Sequence, residues 1–155
     1  MKTLILVLMV FMTTGTFGDY AKFIEKWEGR KHTVYTCPAG YKTIGVGHLI
    51  KKGESFTYLS DTEIDHILSQ DIETAITIAR KTFKNFDQHP YEVRLIMCDL
   101  AYNLGENKLA LFKKTIKAFD LFDYKTASLE LKNSKWFRQT GLRAKHHVDF
   151  LAKLW

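Results

Sequence analysis

The chain has 155 residues, of which 46% are hydrophobic and 26% are charged. This length and composition predict one globular domain and argue against an intrinsically disordered chain. The formal net charge of +6 suits an anionic partner, but the basic residues are scattered and carry no zinc-finger spacing or RNA-binding motif, which argues against nucleic acid.

The N-terminus has the pattern of an export signal. Lys2 is followed by an apolar run over residues 4–12 and by a mostly small, uncharged stretch over residues 13–18. The run is too short for a stable membrane span, which takes about 20 apolar residues. We therefore expect residues 1–18 to be a signal peptide or a weak signal-anchor and residues 19–155 to form the folded domain, with a buried N-terminal helix as the alternative for the first segment. The protein would then be exported to the periplasm or the medium; the alternative is a host cytoplasm with release at lysis.

The first predicted helix starts at Asp19, as its cap, and ends at Gly29. Its apolar residues recur at steps of three and four, as one buried face requires: Tyr20, Phe23, Ile24 and Trp27. Glu28 therefore lies in the last turn, where the helix dipole disfavours a carboxylate. A residue placed against its local preference indicates a function or a nearby cation.

Residues 33–50 change to strand character and predict an antiparallel hairpin or a three-stranded sheet. Strand-forming residues surround a turn at residues 38–40, where the sequence is Pro-Ala-Gly. In this unit Cys37 lies at the edge of the turn and Thr43 on the returning strand. We expect both side chains to face the end of the first helix.

Two long helices follow. Residues 60–63 form a capping box, which predicts a helix that runs to about Phe83. Pro90 opens a second helix that ends at Gly105 and is apolar on most faces, so it is the predicted central helix. Residues 108–155 predict three or four short helices, with breaks near Asp123, Asn133 and Gly141.

Several further side chains have a structural interpretation. Trp136 and the phenylalanines at helical spacing, Phe112, Phe119 and Phe122, are predicted to lie in the core. His48 is expected to pair with an acidic residue across the sheet. Asp99, on the central helix, could face a cleft of the folded domain, but no chemistry is assigned to it. Cys98 on the same helix is expected to be a buried thiol, with a disulfide to Cys37 as the alternative.

Four segments of the chain resemble phage-type lysozymes, glycoside hydrolase family 24. They are residues 28–29 with the Thr-Ile-Gly-Val-Gly-His stretch at 43–48, the capped helix containing residues 70–71, residues 103–106, and residues 134–140 with 143–145. A Glu-Gly pair alone would be a weak signal, but these segments in this order are specific. The resemblance implies an α+β, predominantly helical fold with a small antiparallel sheet near the N-terminus. It also implies two lobes joined by a long helix, with a cleft between them.

The resemblance also implies roles for individual residues. Glu28 would be the general acid and Thr43 would hold the attacking water. Arg143 would lie beside the glutamate, and the positions that contact sugar would be Leu49, Tyr102 and Thr115. A neighbouring cation favours the ionised carboxylate, whereas a general acid must carry a proton, so closure and desolvation of the cleft would have to compensate.

Cys37 departs from the family pattern, because many members have aspartate at this position, although a cysteine before Pro-Ala-Gly also occurs among phage endolysins. Inverting glycosidases hold water between two carboxyl groups roughly 6.5–9.5 Å apart. An unperturbed thiol has a pKa of about 8.5 and is mostly neutral at neutral pH. We expect Cys37 to be catalytic, as a thiolate, a base or a water-positioning group. The alternatives are a structural turn cysteine and a nucleophile that would give retention.

The sequence thus predicts a monomeric lysozyme that hydrolyses the β-1,4 bond between N-acetylmuramic acid and N-acetylglucosamine in bacterial peptidoglycan. The reaction would be an inverting displacement without a cofactor. A metal site is not expected, and the adjacent His146 and His147 are only weak candidates for one. Two alternatives stay open. One is a lytic transglycosylase; the other is a non-enzymatic cationic protein that binds the wall or acts on the membrane.

Overall fold

A computed structural model describes residues 16–155 of the chain, so most of the expected export signal lies outside the described residues. The first helix, α1, spans Phe17–Glu28. It begins before Asp19 because Thr16 is its N-cap: the backbone N–H and the hydroxyl of Thr16 both donate to Asp19 Oδ2, at 2.9 and 2.8 Å. The prediction of Asp19 as the cap is therefore wrong, since Asp19 is the third helical residue and closes the capping box. None of the described helices is both long and apolar enough to cross a membrane.

The N-terminal lobe contains the predicted three-stranded antiparallel sheet. Its strands are β1 (Lys31–Thr36), β2 (Lys42–Gly45) and β3 (His48–Leu49), in the order β1-β2-β3. Thr43 pairs with Tyr35 on one side and with Leu49 on the other. Because directly opposed residues point to the same face of a sheet, these three side chains form a row.

The long helix α2, Asp61–Thr82, joins the two lobes as expected. Ser60 and Glu63 form the predicted capping box, in which the Ser60 backbone N–H donates to Glu63 Oε2 at 2.8 Å. One face of the helix is buried: Ile64, Leu68, Ile72, Ala75 and Ala79. His48 ties the sheet to this helix. Its Nδ1 donates to Asp71 at 2.7 Å and its Nε2 donates to Glu54 at 3.1 Å. This confirms the predicted pairing with an acidic residue, although the partners lie on α2 and in the loop after β3 and not across the sheet.

The C-terminal lobe is helical and holds most of the core. After a 3-10 turn at Phe86–Gln88 comes α3, Tyr91–Leu109, the central apolar helix. Its backbone leaves the helical conformation at Gly105 (φ 67°), where the sequence predicts an end, and then continues for one turn. Four short helices complete the lobe: α4 (Lys113–Asp120), α5 (Tyr124–Lys132), α6 (Lys135–Thr140) and α7 (Leu142–Leu151).

Although α1 precedes the sheet in the chain, it packs on the C-terminal lobe. The ring of Tyr20 meets that of Tyr91 edge-on, with centroids 6.2 Å apart. Phe23 stacks on His147 at 5.8 Å, and Trp27 contacts His146 at 5.3 Å. The chain then crosses into the sheet directly after Glu28. This crossing places the last residue of α1 at the junction of the two lobes.

The predicted core residues behave differently from one another. Trp136 and Phe119 are buried and Phe112 is half-buried, as expected, but Phe122 is 41% exposed. The helical spacing fails for Phe122 because α4 ends at Asp120, so Phe122 lies in a turn with φ 57°. Cys37 and Cys98 are both free thiols, which excludes the disulfide alternative in this structure.

Candidate active site

A cleft of about 1290 Å³ lies between the sheet and the C-terminal helices. All six residues predicted to catalyse or to bind sugar line it: Glu28, Cys37, Thr43, Leu49, Tyr102 and Thr115. They come from α1, the sheet and the turn after β1, α3 and α4. The sequence could place each on its own element, but only the fold brings these elements to one cavity.

The carboxyl group of Glu28 is held from two sides. Glu28 is the last residue of α1, and Gly29 ends the helix with φ 69°. Its Oε1 accepts a hydrogen bond from Arg143 Nη1 at 2.5 Å. On the other side the backbone of Gly47 comes so close that a Cβ there would lie 2.8 Å from Glu28 Oε2. The carboxyl keeps 21% side-chain exposure and lines the cleft.

Arg143 is in turn held by Asp99, on the side away from the cleft. Its Nε and Nη2 donate to the two oxygens of Asp99, at 2.8 and 2.6 Å, and His147 Nε2 donates to Asp99 at 2.6 Å. Burial alone would raise the pKa of Asp99, but the hydrogen bonds from Arg143 and His147 outweigh it and lower that pKa. The sequence left open that Asp99 faces the cleft. In the structure it does not: Asp99 is fully buried and is hydrogen-bonded to Arg143.

The position of Cys37 is set by the turn that follows β1. Its backbone N–H donates to the Tyr41 carbonyl at 2.9 Å, and Gly40 N–H donates back to the Cys37 carbonyl at 2.8 Å. The backbone hydrogen bond from Tyr41 lowers the pKa of the thiol, with smaller contributions from the Ala39 backbone and the Thr43 side chain against a partial cost of burial. The thiol of Cys37 therefore ionises more readily than an unperturbed cysteine thiol.

Thr43 links this turn to the sheet. Its side chain is almost fully buried, and its hydroxyl donates to the Tyr41 carbonyl at 3.0 Å. The same Tyr41 carbonyl accepts the backbone N–H of Cys37, and the Thr43 side chain also helps to lower the pKa of the Cys37 thiol. Thr43 and Cys37 are thus part of one local network at the cleft wall.

The three predicted sugar-contacting residues differ in exposure. Leu49, in the last strand, is half-exposed and presents an apolar surface to the cleft. The hydroxyl of Tyr102 donates to the Val46 carbonyl at 2.5 Å, and burial raises the pKa of Tyr102, so the phenol stays protonated. Thr115 is buried at the cleft wall on α4.

The C-terminal wall of the cleft carries a group of exposed lysines that sequence reasoning missed. They are Lys108, Lys113, Lys114 and Lys135. Glu130 lies among them, with its Oε1 3.9 Å from Lys114 Nζ. The lysines are spread over residues 108–135, so the sequence shows no cluster and the fold gathers them. Such a wall attracts anionic polymers.

Comparison with known proteins agrees with this architecture. The chain matches the phage lysozyme family over residues 25–148, a range that includes Glu28, Cys37, Thr43 and Arg143. Two similar relatives come from Dictyostelium discoideum. "Probable T4-type lysozyme 2" is 24% identical over 150 residues, covering 79% of this chain and 86% of the relative, and "Probable T4-type lysozyme 1" is 26% identical over 152 residues, covering 80% and 88%. The chain belongs to the phage lysozyme family of cell-wall hydrolases.

Proposed function

We propose that the protein is a lysozyme that hydrolyses the β-1,4 bond between N-acetylmuramic acid and N-acetylglucosamine in bacterial peptidoglycan. The observation that carries the proposal is the meeting of Glu28, Cys37 and Thr43 at one cleft, with Arg143 bound to the glutamate. A carboxyl, an ionisable thiol and a hydroxyl are a sufficient set for acid-base hydrolysis of an acetal.

The first half of the reaction is proton transfer to the leaving group. Protonated Glu28 gives its proton to the glycosidic oxygen as the bond from that oxygen to the anomeric carbon breaks. The leaving sugar departs with a free hydroxyl, and positive charge develops on the anomeric carbon and ring oxygen. The nearby Cys37 thiolate stabilises this charge.

The second half is the attack of water. A water held by the Thr43 oxygen and Cys37 approaches the anomeric carbon from the face opposite the leaving group. Its oxygen bonds to that carbon, and the proton it loses goes to the Cys37 thiolate, so the product is a hemiacetal of inverted configuration. Afterwards the thiol releases its proton to solvent and Glu28 takes one up. The lowered pKa of Cys37 supports this role, because it increases the share of thiolate that is available to accept the proton.

The cleft also suits the polymer. Leu49 and the ring of Tyr102 provide apolar contacts for sugar faces. The exposed lysines on the C-terminal side of the cleft attract the carboxylates that peptidoglycan carries. We further propose that the protein acts as a monomer and outside the cytoplasm, where the bacterial cell wall lies. The expected export signal at residues 1–18 supports this location.

Clearing of a suspension of purified cell wall tests the proposal. We expect Glu28→Gln to abolish clearing and Cys37→Ser to reduce it by about 10²–10⁴-fold, the usual contribution of a general base. Cys37→Asp should restore most of the rate, because it supplies a carboxylate in the same place. Circular dichroism controls for folding. Clearing that survives Glu28→Gln, or that is undiminished in Cys37→Ser, contradicts the proposal.

Analysis of the products distinguishes the related mechanisms. Proton NMR early in the reaction is expected to show the inverted anomer at the new reducing end. A retained anomer would mean that Cys37 acts as a nucleophile through a covalent intermediate. Anhydro ends, which lack the elements of water, would identify a lytic transglycosylase instead.

A further inference from the structure

A chain of hydrogen-bonded side chains runs from the cleft into the C-terminal lobe. It begins at Glu28, passes through Arg143 and Asp99, and reaches His147. Asp99 and His147 have no exposed surface, and Arg143 is 6% exposed. Of the four side chains, only Glu28 lines the cleft.

The charges of this chain have to be balanced locally. The guanidinium of Arg143 is always protonated, and a buried charge is tolerated only with a partner. Two carboxyl groups contact it, but unequally: Asp99 takes two hydrogen bonds in a bidentate pair, whereas Glu28 takes one. The formal charges of ionised Asp99 and of Arg143 sum to zero. A protonated, neutral Glu28 then leaves the trio uncharged.

His147 fixes the orientation of Asp99. A carboxylate only accepts hydrogen bonds, so Nε2 of His147 carries the proton in their 2.6 Å contact. Nδ1 of His147 lies 3.4 Å from Nδ1 of His146, which leaves room for one proton between the two rings. The ring of His147 packs against the rings of Phe23 and Trp136, with centroids 5.8 Å away in each case. The donor to Asp99 therefore has little freedom to turn.

Other titratable groups face the cluster from the surrounding elements. They are Lys26 on α1, Tyr35 on β1, Cys98 and Tyr102 on α3, and His146 and Asp149 on α7. Burial raises the pKa of Tyr35, Cys98 and Tyr102 and lowers that of His146, so all four favour their neutral forms. Lys26 and Asp149 are exposed to solvent. Cys37 shares the cleft with Glu28, and all the variants below retain it. Among the buried contacts of Glu28, the charge balance is therefore set mainly by Arg143 and Asp99.

We propose that Asp99 is a positioning residue for Glu28: it neutralises Arg143, so that the guanidinium can hold the Glu28 carboxyl without leaving an uncompensated positive charge beside it. His147 supports this role by keeping Asp99 in its bidentate geometry. This inference rests on the proposed function of Glu28 as the general acid, and it answers the difficulty that a neighbouring cation favours the ionised carboxylate.

Asp99→Asn tests the charge, because it preserves the shape and one acceptor oxygen. His147→Leu removes the donor to Asp99, and His147→Gln retains an N–H in its place. Asp87→Asn is the matched control, since it removes a carboxylate from an exposed pair with Arg80. The titration midpoint of the Glu28 side-chain carboxyl is followed by ¹³C NMR, and the pH profile of wall clearing is recorded in parallel.

We expect Asp99→Asn to lower the Glu28 midpoint by about one pH unit or more. The alkaline limb of the clearing profile should move to lower pH by the same amount. His147→Leu should shift the Glu28 midpoint and the alkaline limb in the same direction, by a smaller amount than Asp99→Asn. For His147→Gln and Asp87→Asn both quantities should match those of wild type. A merely structural role for Asp99 would lower stability without moving either profile.

An unchanged or raised midpoint in folded Asp99→Asn overturns the inference. If that variant does not fold, an unchanged or raised midpoint in His147→Leu has the same force. The NMR titration needs no enzymatic activity, so it separates this inference from the proposed function. Failure of the proposed function would appear as clearing that survives Glu28→Gln. Failure of the inference alone would leave clearing dependent on Glu28 while the midpoint in Asp99→Asn stays at the wild-type value.

Discussion

The close approach of Gly47 to Glu28 gives a sharp test of the site. A Cβ at residue 47 would lie 2.8 Å from Oε2 and 3.0 Å from Cδ of Glu28. Carbon atoms in contact normally lie about 3.5–4.0 Å apart, so Gly47→Ala should push the carboxyl away by about half an ångström or more. Because the same carboxyl is bound to Arg143 on its other side, it cannot move without losing its alignment.

Two effects of Gly47→Ala have to be separated. Gly47 has φ +74°, so alanine there also costs about 1–2 kcal/mol of backbone strain. Gly53 is the matched control, because its φ is +95° and a Cβ there would meet nothing within 4 Å. Gly53→Ala should therefore carry comparable strain without touching the cleft.

The assay compares kcat/KM on soluble wall fragments with the free energy of unfolding in urea. Both variants should lose about 1–2 kcal/mol of stability. Gly47→Ala should also lose about 10²-fold in kcat/KM, as expected for a displacement of a reacting group by up to about 1 Å. Gly53→Ala should keep nearly all of its activity. Equal activity of the two variants would refute the claim that Gly47 positions the carboxyl of Glu28.

Three further predictions concern charge and pH. The hydrogen bond to Asp71 raises the pKa of His48, so its stabilisation is complete below the unfolded value of about 6.5 and is lost as pH rises through the folded pKa. Asp71→Asn should thus cost about 1–3 kcal/mol of unfolding free energy at pH 5.5 and clearly less at pH 9; an equal loss at both would contradict this. Burial lowers the pKa of His89 to about 4, so wild-type stability should fall as pH drops from about 6.5 to 4. In urea titrations His89→Gln should lessen that slope, and an unchanged slope would refute the assignment. Replacing Lys113 and Lys135 together by glutamine should slow wall clearing several-fold at low salt but not at high salt, where exposed charges are screened; a deficit that persists at high salt would argue against electrostatic attraction.

Local sequence signals placed the candidate site residues on the correct elements. The apolar spacing of α1 put Glu28 at a helix end, and the Pro-Ala-Gly turn put Cys37 at the edge of the turn and Thr43 on the returning strand. These predictions succeeded because helix periodicity and turn chemistry act over a few residues. Where the same signals competed, they misled: Asp19 and Thr16 are both good N-caps, and the pair forms a capping box whose first residue is Thr16.

The rest of the site depends on contacts that no local pattern contains. Asp99 meets Arg143 across 44 residues and His147 across 48. Its signal in the sequence was a carboxylate within the apolar run at residues 95–101 of the central helix, which implies a buried partner but does not name it. The group of lysines on the cleft wall has no such signal, because the adjacent pair Lys113 and Lys114 meets Lys108 and Lys135 only when α3, α4 and α6 assemble.

The most direct test of the central claim is mass spectrometry of the soluble fragments released from purified peptidoglycan by wild type and by Glu28→Gln. The account predicts that wild type releases muropeptides with a reducing N-acetylmuramic acid end, each containing the elements of one added water, and that folded Glu28→Gln releases none. Anhydro ends from wild type, or the same reducing fragments from Glu28→Gln, would contradict it.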